Sequence, residues 1–334
     1  MDIRRTVLWM IFSFSLLLLW NNWQIHNGKP SLFGGPTPAA STADPQAGAN
    51  NATPSVPSAP ATAATAPSAV PGAATPAAAR SEEVVITTDV LRLTFDTMGA
   101  QLVRAELLKY PATGQADKPT VLLDRSAGLN YVVQSGVVGA PNGQSFPTHQ
   151  TPFRLVTSER QLTGDNLVVS FEGESGGVKV TKSFTLHKGR YDIDVRHDLA
   201  NVGSAPVTPA LYLQLERDGN DPADTSSFYH TFTGFAVYSE QDKFQKSTFS
   251  DIEKKKANYI KQADNGWIAV VQHYFATAWV PPQGKPRTNE LLEVQKNLYA
   301  ARSIEAVGEI APGAASRVDS HLWVGPQDQK AMAA

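Results

Sequence analysis

The chain of 334 residues carries 29 Lys and Arg against 31 Asp and Glu, a formal net charge of -2, and no cysteine. Near balance excludes the basic footprint that a nucleic-acid surface needs, and the lack of cysteine excludes disulfides, thiolate nucleophiles and Cys-based zinc sites. The apolar residues beyond the first quarter suffice to close a sizeable core without covalent staples.

The first predicted element is the uncharged run Val7 to Trp20, which together with Asn21 to Ile25 reaches about the length of a bilayer-spanning helix. Arg4 and Arg5 precede it and Lys29 alone follows closely, so the positive-inside rule puts the N-terminus in the cytoplasm and the rest outside. Trp9 lies within the span, and Trp20 and Trp23 fall at the outer headgroup level. A cleaved signal peptide is the competing reading. It lacks a small-x-small site, because Asn21 to Ile25 is bulky and polar, which favours an uncleaved anchor. From Pro36 to Ala79 the chain is nearly all Ala, Pro, Thr, Ser and Gly, with Asp44 as its only charge. Such a segment cannot bury enough apolar area to offset ordering and reads as a tether, spanning on the order of 35 Å as a coil.

After Arg80 short alternating runs separated by turn residues predict strands. Leu91, Leu93 and Phe95 share one strand face, and Met98-Gly99-Ala100 turns the chain toward Leu102 to Leu107. Further runs are Tyr131 to Val138, Leu167 to Phe171, Val178 to Leu186, Tyr191 to Val195, Leu211 to Leu215, Trp267 to Val271, Tyr274 to Val280 and Arg317 to Val324. Many short strands with Gly, Asn, Asp and Pro between them predict an antiparallel sandwich with few helices. Ser250-Asp251-Ile252-Glu253 reads as a capping box opening a short helix, and Pro326 to Ala334 as the start of a second. Trp267 to Val280 is too short for a membrane span, and Gln272 and His273 interrupt it, so two buried strands are expected.

Gly173-Glu174-Ser175-Gly176-Gly177 has the G-x-S-x-G form of a nucleophile elbow, which requires a helix after the turn. Val178 to Phe184 alternates like a strand, so a Gly-rich hairpin turn is expected instead. Asp192 and Asp194 project from one strand face at about 7 Å, a separation that paired acid and base groups can use. With Tyr191, Ile193 and Val195 opposite, they read as a solvated edge. Asp218, Asn220, Asp221 and Asp224 lack the register of a calcium loop and Pro222 interrupts them, leaving a polar turn. The seven histidines show neither H-x-x-x-H nor H-x-H spacing, so no local metal site is supported. His197, in phase with Val195, reads as a hydrogen-bonded core residue. Lys254 to Lys256 could meet anionic lipid, but a basic helix face in water explains them.

Three segments go beyond pattern. Asn265-Gly266-Trp267-Ile268-Ala269-Val270-Val271-Gln272-His273-Tyr274-Phe275-Ala276-Thr277-Ala278-Trp279-Val280-Pro281 closely resembles the late periplasmic signature of YidC-type membrane protein insertases. Leu322-Trp323-Val324-Gly325-Pro326, with Gln329, Lys330 and Met332, resembles their closing segment, and Met1-Asp2-Ile3-Arg4-Arg5 before an apolar anchor is typical of them. Thr88 to Leu91 and Tyr229 to Ser239 are more weakly similar. The resemblance implies an uncleaved signal anchor in the bacterial inner membrane and a large periplasmic β-supersandwich similar to galactose mutarotase-like folds. It also implies insertion and folding of inner-membrane proteins, alone or beside the Sec translocon, without nucleotide hydrolysis, and association of the domain with SecDF. The family's five further membrane helices, which enclose a hydrophilic groove, have no counterpart before Ala334, so a fragment is expected.

The expected organisation is residues 1–25 as membrane anchor, 26–80 as flexible periplasmic linker, 81–325 as a mainly β antiparallel supersandwich with one or two short helices, and 326–334 as the start of a connection toward the membrane core. The expected role is the anchor and periplasmic accessory domain of a non-enzymatic insertase. Its expected partners are inner-membrane lipid, Sec translocon components including SecDF, and nascent membrane proteins, with no nucleic acid and no cofactor. Gly266, Trp267, Tyr274, Phe275, Trp279, Trp323, Gly325 and Pro326 are the signature positions, serving packing or an interface. Two alternatives stay open: a periplasmic carbohydrate- or peptide-binding adaptor, and a mutarotase-like sugar epimerase using histidine and carboxylate groups.

Overall fold

The structure is a computed structural model that describes residues 81–126, 128–141, 143–222 and 231–327. The predicted anchor with Arg4, Arg5, Trp9, Trp20 and Trp23, the linker, and Asp224, Tyr229 and His230 lie outside the described residues.

The alternating runs fold as strands. In chain order these begin with β1 (Glu83–Thr87), β2 (Leu91–Asp96), β3 (Gln101–Ala112), β4 (Gln115–Ser126), β5 (Leu129–Val138) and β6 (Arg154–Leu155). There follow β7 (Asn166–Ser175), β8 (Val178–His187), β9 (Asp192–Asn201), β10 (Ala210–Asp218), β11 (Thr233–Ser239) and β12 (Lys243–Ser247). After the short helix α1 (Phe249–Glu253) come β13 (Gln262–Ala263), β14 (Trp267–Gln272), β15 (Phe275–Val280), β16 (Arg287–Gln295), β17 (Leu298–Ala306) and β18 (Ala315–Pro326). They form two nine-stranded sheets, ordered β1-β2-β3-β4-β5-β10-β17-β16-β13 and β12-β11-β14-β15-β18-β9-β8-β7-β6. Neighbouring strands in both sheets run antiparallel, as in the expected supersandwich.

Period-two patterning decides what each sheet buries. Leu91, Leu93 and Phe95 on β2 are fully buried, and so are Val178, Val180, Lys182, Phe184 and Leu186 on β8. The two inner faces meet where the Phe95 ring lies 5.5 Å from Phe171 and 4.8 Å from Phe184. Further along, the Trp279 indole N–H of one sheet donates to the Gln214 carbonyl of the other at 3.2 Å. Gly176 and Gly177, at φ 59 and 75, form the tight β7–β8 turn, so the G-x-S-x-G segment is a hairpin.

Three expectations require correction. The capping box sits two residues earlier than Ser250. Thr248 is the extended N-cap, its hydroxyl accepts from the Asp251 N–H at 3.1 Å, and Asp251 answers the Thr248 backbone, while Ser250 is already helical. The second helix does not start at Pro326, which closes β18, and residues 328–334 lie outside the described residues. Asp192 and Asp194 are not on an edge, because β9 runs between β18 and β8 and they project from an interior strand's outer face. No helix among the described residues is long and apolar enough to cross a membrane.

Candidate functional site

The outer face of the second sheet carries an apolar cleft of 440 Å³. Inward Ile268, Val270, Trp279, Leu322 and Val324 fill the core, so the alternate residues of β14, β15 and β18 face outward. Register sets Ala269 opposite Ala278, and Ala278 opposite Trp323, with Val271 opposite Ala276 in the next rank. Short side chains in the middle of a sheet leave a hollow between the larger groups beside them. Its walls are Trp267 and Phe244 on one side and Trp323 on the other. Trp267 stacks on Tyr238 at 5.5 Å with an interplanar angle of 14°, and Trp323 packs 6.2 Å from Tyr191, so both walls are braced.

Polar groups close one end. Arg190 grips Asp192 with two hydrogen bonds at 2.7 and 2.8 Å. His321 bonds through Nδ1 to Asp194 at 2.8 Å, and the other oxygen of that carboxylate meets His187 Nε2 at 2.9 Å. Partial burial pushes the Asp194 carboxyl up, but the hydrogen bonds and charge of His187 and His321 outweigh it and hold its pKa below the usual carboxylate range. This His-Asp-His row spans three adjacent strands. No linear spacing encodes it; only the pairing of Asp194 with His321 brings it together. Among the described residues no group of three or more His and acidic side chains is arranged to hold a metal ion.

The signature positions divide. Trp279 is buried in the core, Trp267 and Trp323 line the cleft, and half-buried Phe275 meets Tyr110 edge-on at 5.5 Å. Tyr274 lies 65 % exposed in the β14–β15 turn, outside the core margin that its strand spacing suggests. Gly266 takes φ +89, and a Cβ there would sit 1.8 Å from the Tyr238 carbonyl oxygen; one at Gly325 would sit 2.6 Å from Tyr191 Cβ. Pro326 ends β18, where the Gln327 N–H donates to the Tyr274 carbonyl at 2.7 Å. Two further histidines lie elsewhere: His149 Nδ1 meets the Tyr212 hydroxyl at 2.6 Å, and fully buried His197 meets Ser135 Oγ at 2.9 Å.

Fold and site together define a two-sheet β-supersandwich with a surface cleft floored by small apolar residues. The family model for the YidC periplasmic domain matches residues 83–334. The chain belongs to that family. It is 78% identical to the membrane protein insertase YidC of Bordetella parapertussis over 100% of this chain and 60% of that one. With the YidC of Janthinobacterium sp. it is 43% identical, over 100% and 59%. The chain thus spans about 60% of the length of these curated relatives. Similar solved structures include a galactose mutarotase-like protein from Clostridium acetobutylicum, at TM-score 0.47 and 6% identity over 74% of this chain and 98% of that one. Another is a galactose mutarotase related enzyme from Lactobacillus acidophilus, at TM-score 0.46 and 7% identity over 73% and 97%.

Proposed function

We propose that this chain supplies the anchor and the periplasmic docking domain of a membrane protein insertase, and that the cleft holds extended apolar segments of proteins on their way into the inner membrane. The observation that carries this reading is the alanine floor between Trp267 and Trp323, an apolar trough in which the lining charges Arg190 and Asp192 already pair with each other. Pockets of this size and character favour apolar ligands, with a few polar groups fixing orientation. Residues 1–25 act as the anchor, with Arg4 and Arg5 cytoplasmic and Trp20 and Trp23 at the outer interface, and residues 26–80 tether the domain beside the lipid. Sec components, SecDF among them, are the proposed protein partners. The domain works by contact and turns over no substrate.

The test is site-specific photocrosslinking in cells making the full-length protein, with the reactive residue at Ala278 on the cleft floor or at exposed Val121 on β4. Crosslinks to nascent inner-membrane proteins from position 278 and not from 121 are the expected result. Equal crosslinking from both positions sinks the reading, as does aldose epimerisation that disappears in His321→Ala.

A further inference from the structure

The β14–β15 hairpin turns through two residues, His273 and Tyr274, closed by the pairing of Gln272 with Phe275. Turns this short need a residue at positive φ, a place that Gly and Asn fill at least cost. His273 takes it instead, at φ +39, and its imidazole stacks on the Tyr274 ring with centres 3.6 Å apart and planes at 25°. The turn therefore carries two rings where its backbone asks for none. Tyr274 is 65% exposed, and no large hydrophobic side chain among the described residues is more so.

Rings stiffen the end of the sandwich behind this tip. Phe275 meets Tyr110 of β3 edge-on at 5.5 Å, Tyr110 lies 6.1 Å from Tyr191, and Tyr191 lies 6.2 Å from Trp323. The hollow beside Tyr110 is lined by Arg92, Lys109, Asp117 and Lys118. Arg92 is paired with Glu106, whereas Lys109, Asp117 and Lys118 form no ion pair among the described residues, leaving one positive charge in excess. The chain also leaves the sandwich here. Phe275 pairs with Pro326, the last residue of β18, and three hydrogen bonds tie Gln327 to the turn. Its N–H donates to Tyr274 O at 2.7 Å, and its side-chain amide to His273 O at 2.9 Å and Phe275 O at 3.1 Å. Gln327 lines the apolar cleft as well, so cleft, turn and departing chain share one end of the second sheet.

We propose that the His273–Tyr274 turn rests in the headgroup layer of the inner membrane, so that the cleft opens toward the bilayer. This rests on the reading above, in which the chain is held at the membrane and residues 326–334 lead toward it. A ring with a polar tip is the kind of side chain that settles at headgroup level, and free lysines beside it favour anionic lipid. Area decides between lipid and a protein partner. One tyrosine offers on the order of 200 Å² of surface, well short of the roughly 800 Å² per partner that a stable protein interface buries. A bilayer asks for less, because an anchored domain already sits at high local concentration beside it. An apolar segment passing between lipid and cleft would then meet the cleft without first crossing water.

The experiment uses the whole 334-residue chain, reconstituted into vesicles of phosphatidylethanolamine and phosphatidylglycerol. The chain has no cysteine, so Tyr274→Cys and Val202→Cys each take a single environment-sensitive fluorophore. Val202 is 51% exposed and follows β9 at the end of the sheet away from the turn. The expected result is blue-shifted emission from position 274 that spin-labelled lipid quenches and iodide in the water does not, with the reverse at position 202. Amide exchange at His273 and Tyr274 in the unsubstituted chain, slower in vesicles than in detergent micelles, gives the same reading if the labelled variant misfolds. Vesicle flotation keeps the two claims apart. A chain that floats while its 274 probe stays as wet as its 202 probe overturns this proposal and leaves the anchor standing. A chain that does not float removes the anchor, and the proposal with it. Protection from iodide without quenching by lipid also overturns the proposal, by handing the turn to a protein surface.

Discussion

Lys182 on β8 reaches across the sandwich and donates to the carbonyl of Ser135 on β5 at 2.7 Å, so a fully buried amine ties one sheet to the other. A second donation, also at 2.7 Å, goes to Gly99 O in the β2–β3 turn, and the ammonium lies 4.7 Å from the centre of the Phe153 ring. Among the described residues no carboxylate pairs with it. Burial lowers the Lys182 pKa to about 7.

A stability gradient at alkaline pH follows. Between the folded value near 7 and the unfolded value near 10.5 the unfolded chain holds the proton and the folded one does not, so stability rises with pH across that window. The slope contributed by one such group approaches about 1.4 kcal/mol per pH unit. Urea unfolding at pH 7 and pH 9 should show that rise, and Lys182→Met should flatten it. An unchanged slope in the variant would mean that Lys182 is not the titrating group.

Acid acts through two histidines. Burial, reinforced by the nearby charge of Lys182, lowers the pKa of both His149 and His197 to about 3, and Arg302 adds to the effect at His149. Below the ordinary value of 6.5 the unfolded chain takes up protons that the folded one refuses, so stability falls as pH drops from there toward 3. Each histidine adds up to about 1.4 kcal/mol per pH unit to that fall. His197→Gln should make that fall shallower between pH 6.5 and 5, followed by urea unfolding.

These buried groups show what a linear reading catches and what it misses. Alternation placed Leu91, Leu93, Phe95 and His197 inside, and it also puts Lys182 in phase with Val178, Val180 and Phe184. Charge argues outward there and period argues inward; period wins because two carbonyls, one from strand β5 of the facing sheet and one from its β2–β3 turn, satisfy the amine. Those carbonyls, Gly99 and Ser135, lie 83 and 47 residues away in sequence, beyond any local pattern. The cleft was half legible. Ala269, Ala276 and Ala278 alternate with core residues in the signature segment, but only the register that sets them beside Trp323 turns small residues into a hollow. The His187-Asp194-His321 row belongs wholly to the tertiary level, since each member comes from a different strand.

Gly266 is the tightest backbone site of the signature. At φ +89 an L-residue is strained, and its Cβ would overlap the Tyr238 carbonyl at the β11–β14 pairing. Gly266→Ala should cost on the order of 3 kcal/mol, whereas Gly284→Ala, also at positive φ (+76) but with nothing within 4 Å of its Cβ, should cost less. Thermal unfolding of both variants checks the order. Equal losses would assign the whole effect to backbone conformation and none to the close approach.

Filling the cleft separates its binding role from its structural one. Ala278 points out from β15 into the hollow and is shielded by its neighbours, so a larger side chain there grows into open volume and spares the core. Ala278→Phe should therefore leave the free energy of unfolding within about 1 kcal/mol of the parent, the range for substitutions that create neither cavity nor clash. The opposite face of the same strand is the control: Trp279 is packed in the core and donates to Gln214 O, so Trp279→Ala should cost about 3–5 kcal/mol. If the trough holds apolar segments, a photoreactive residue placed at neighbouring Ala276 will lose its crosslinks to nascent membrane proteins when Ala278→Phe is added, in a protein that remains folded. Crosslinking that survives the filled cleft would place client contact on another face of the domain.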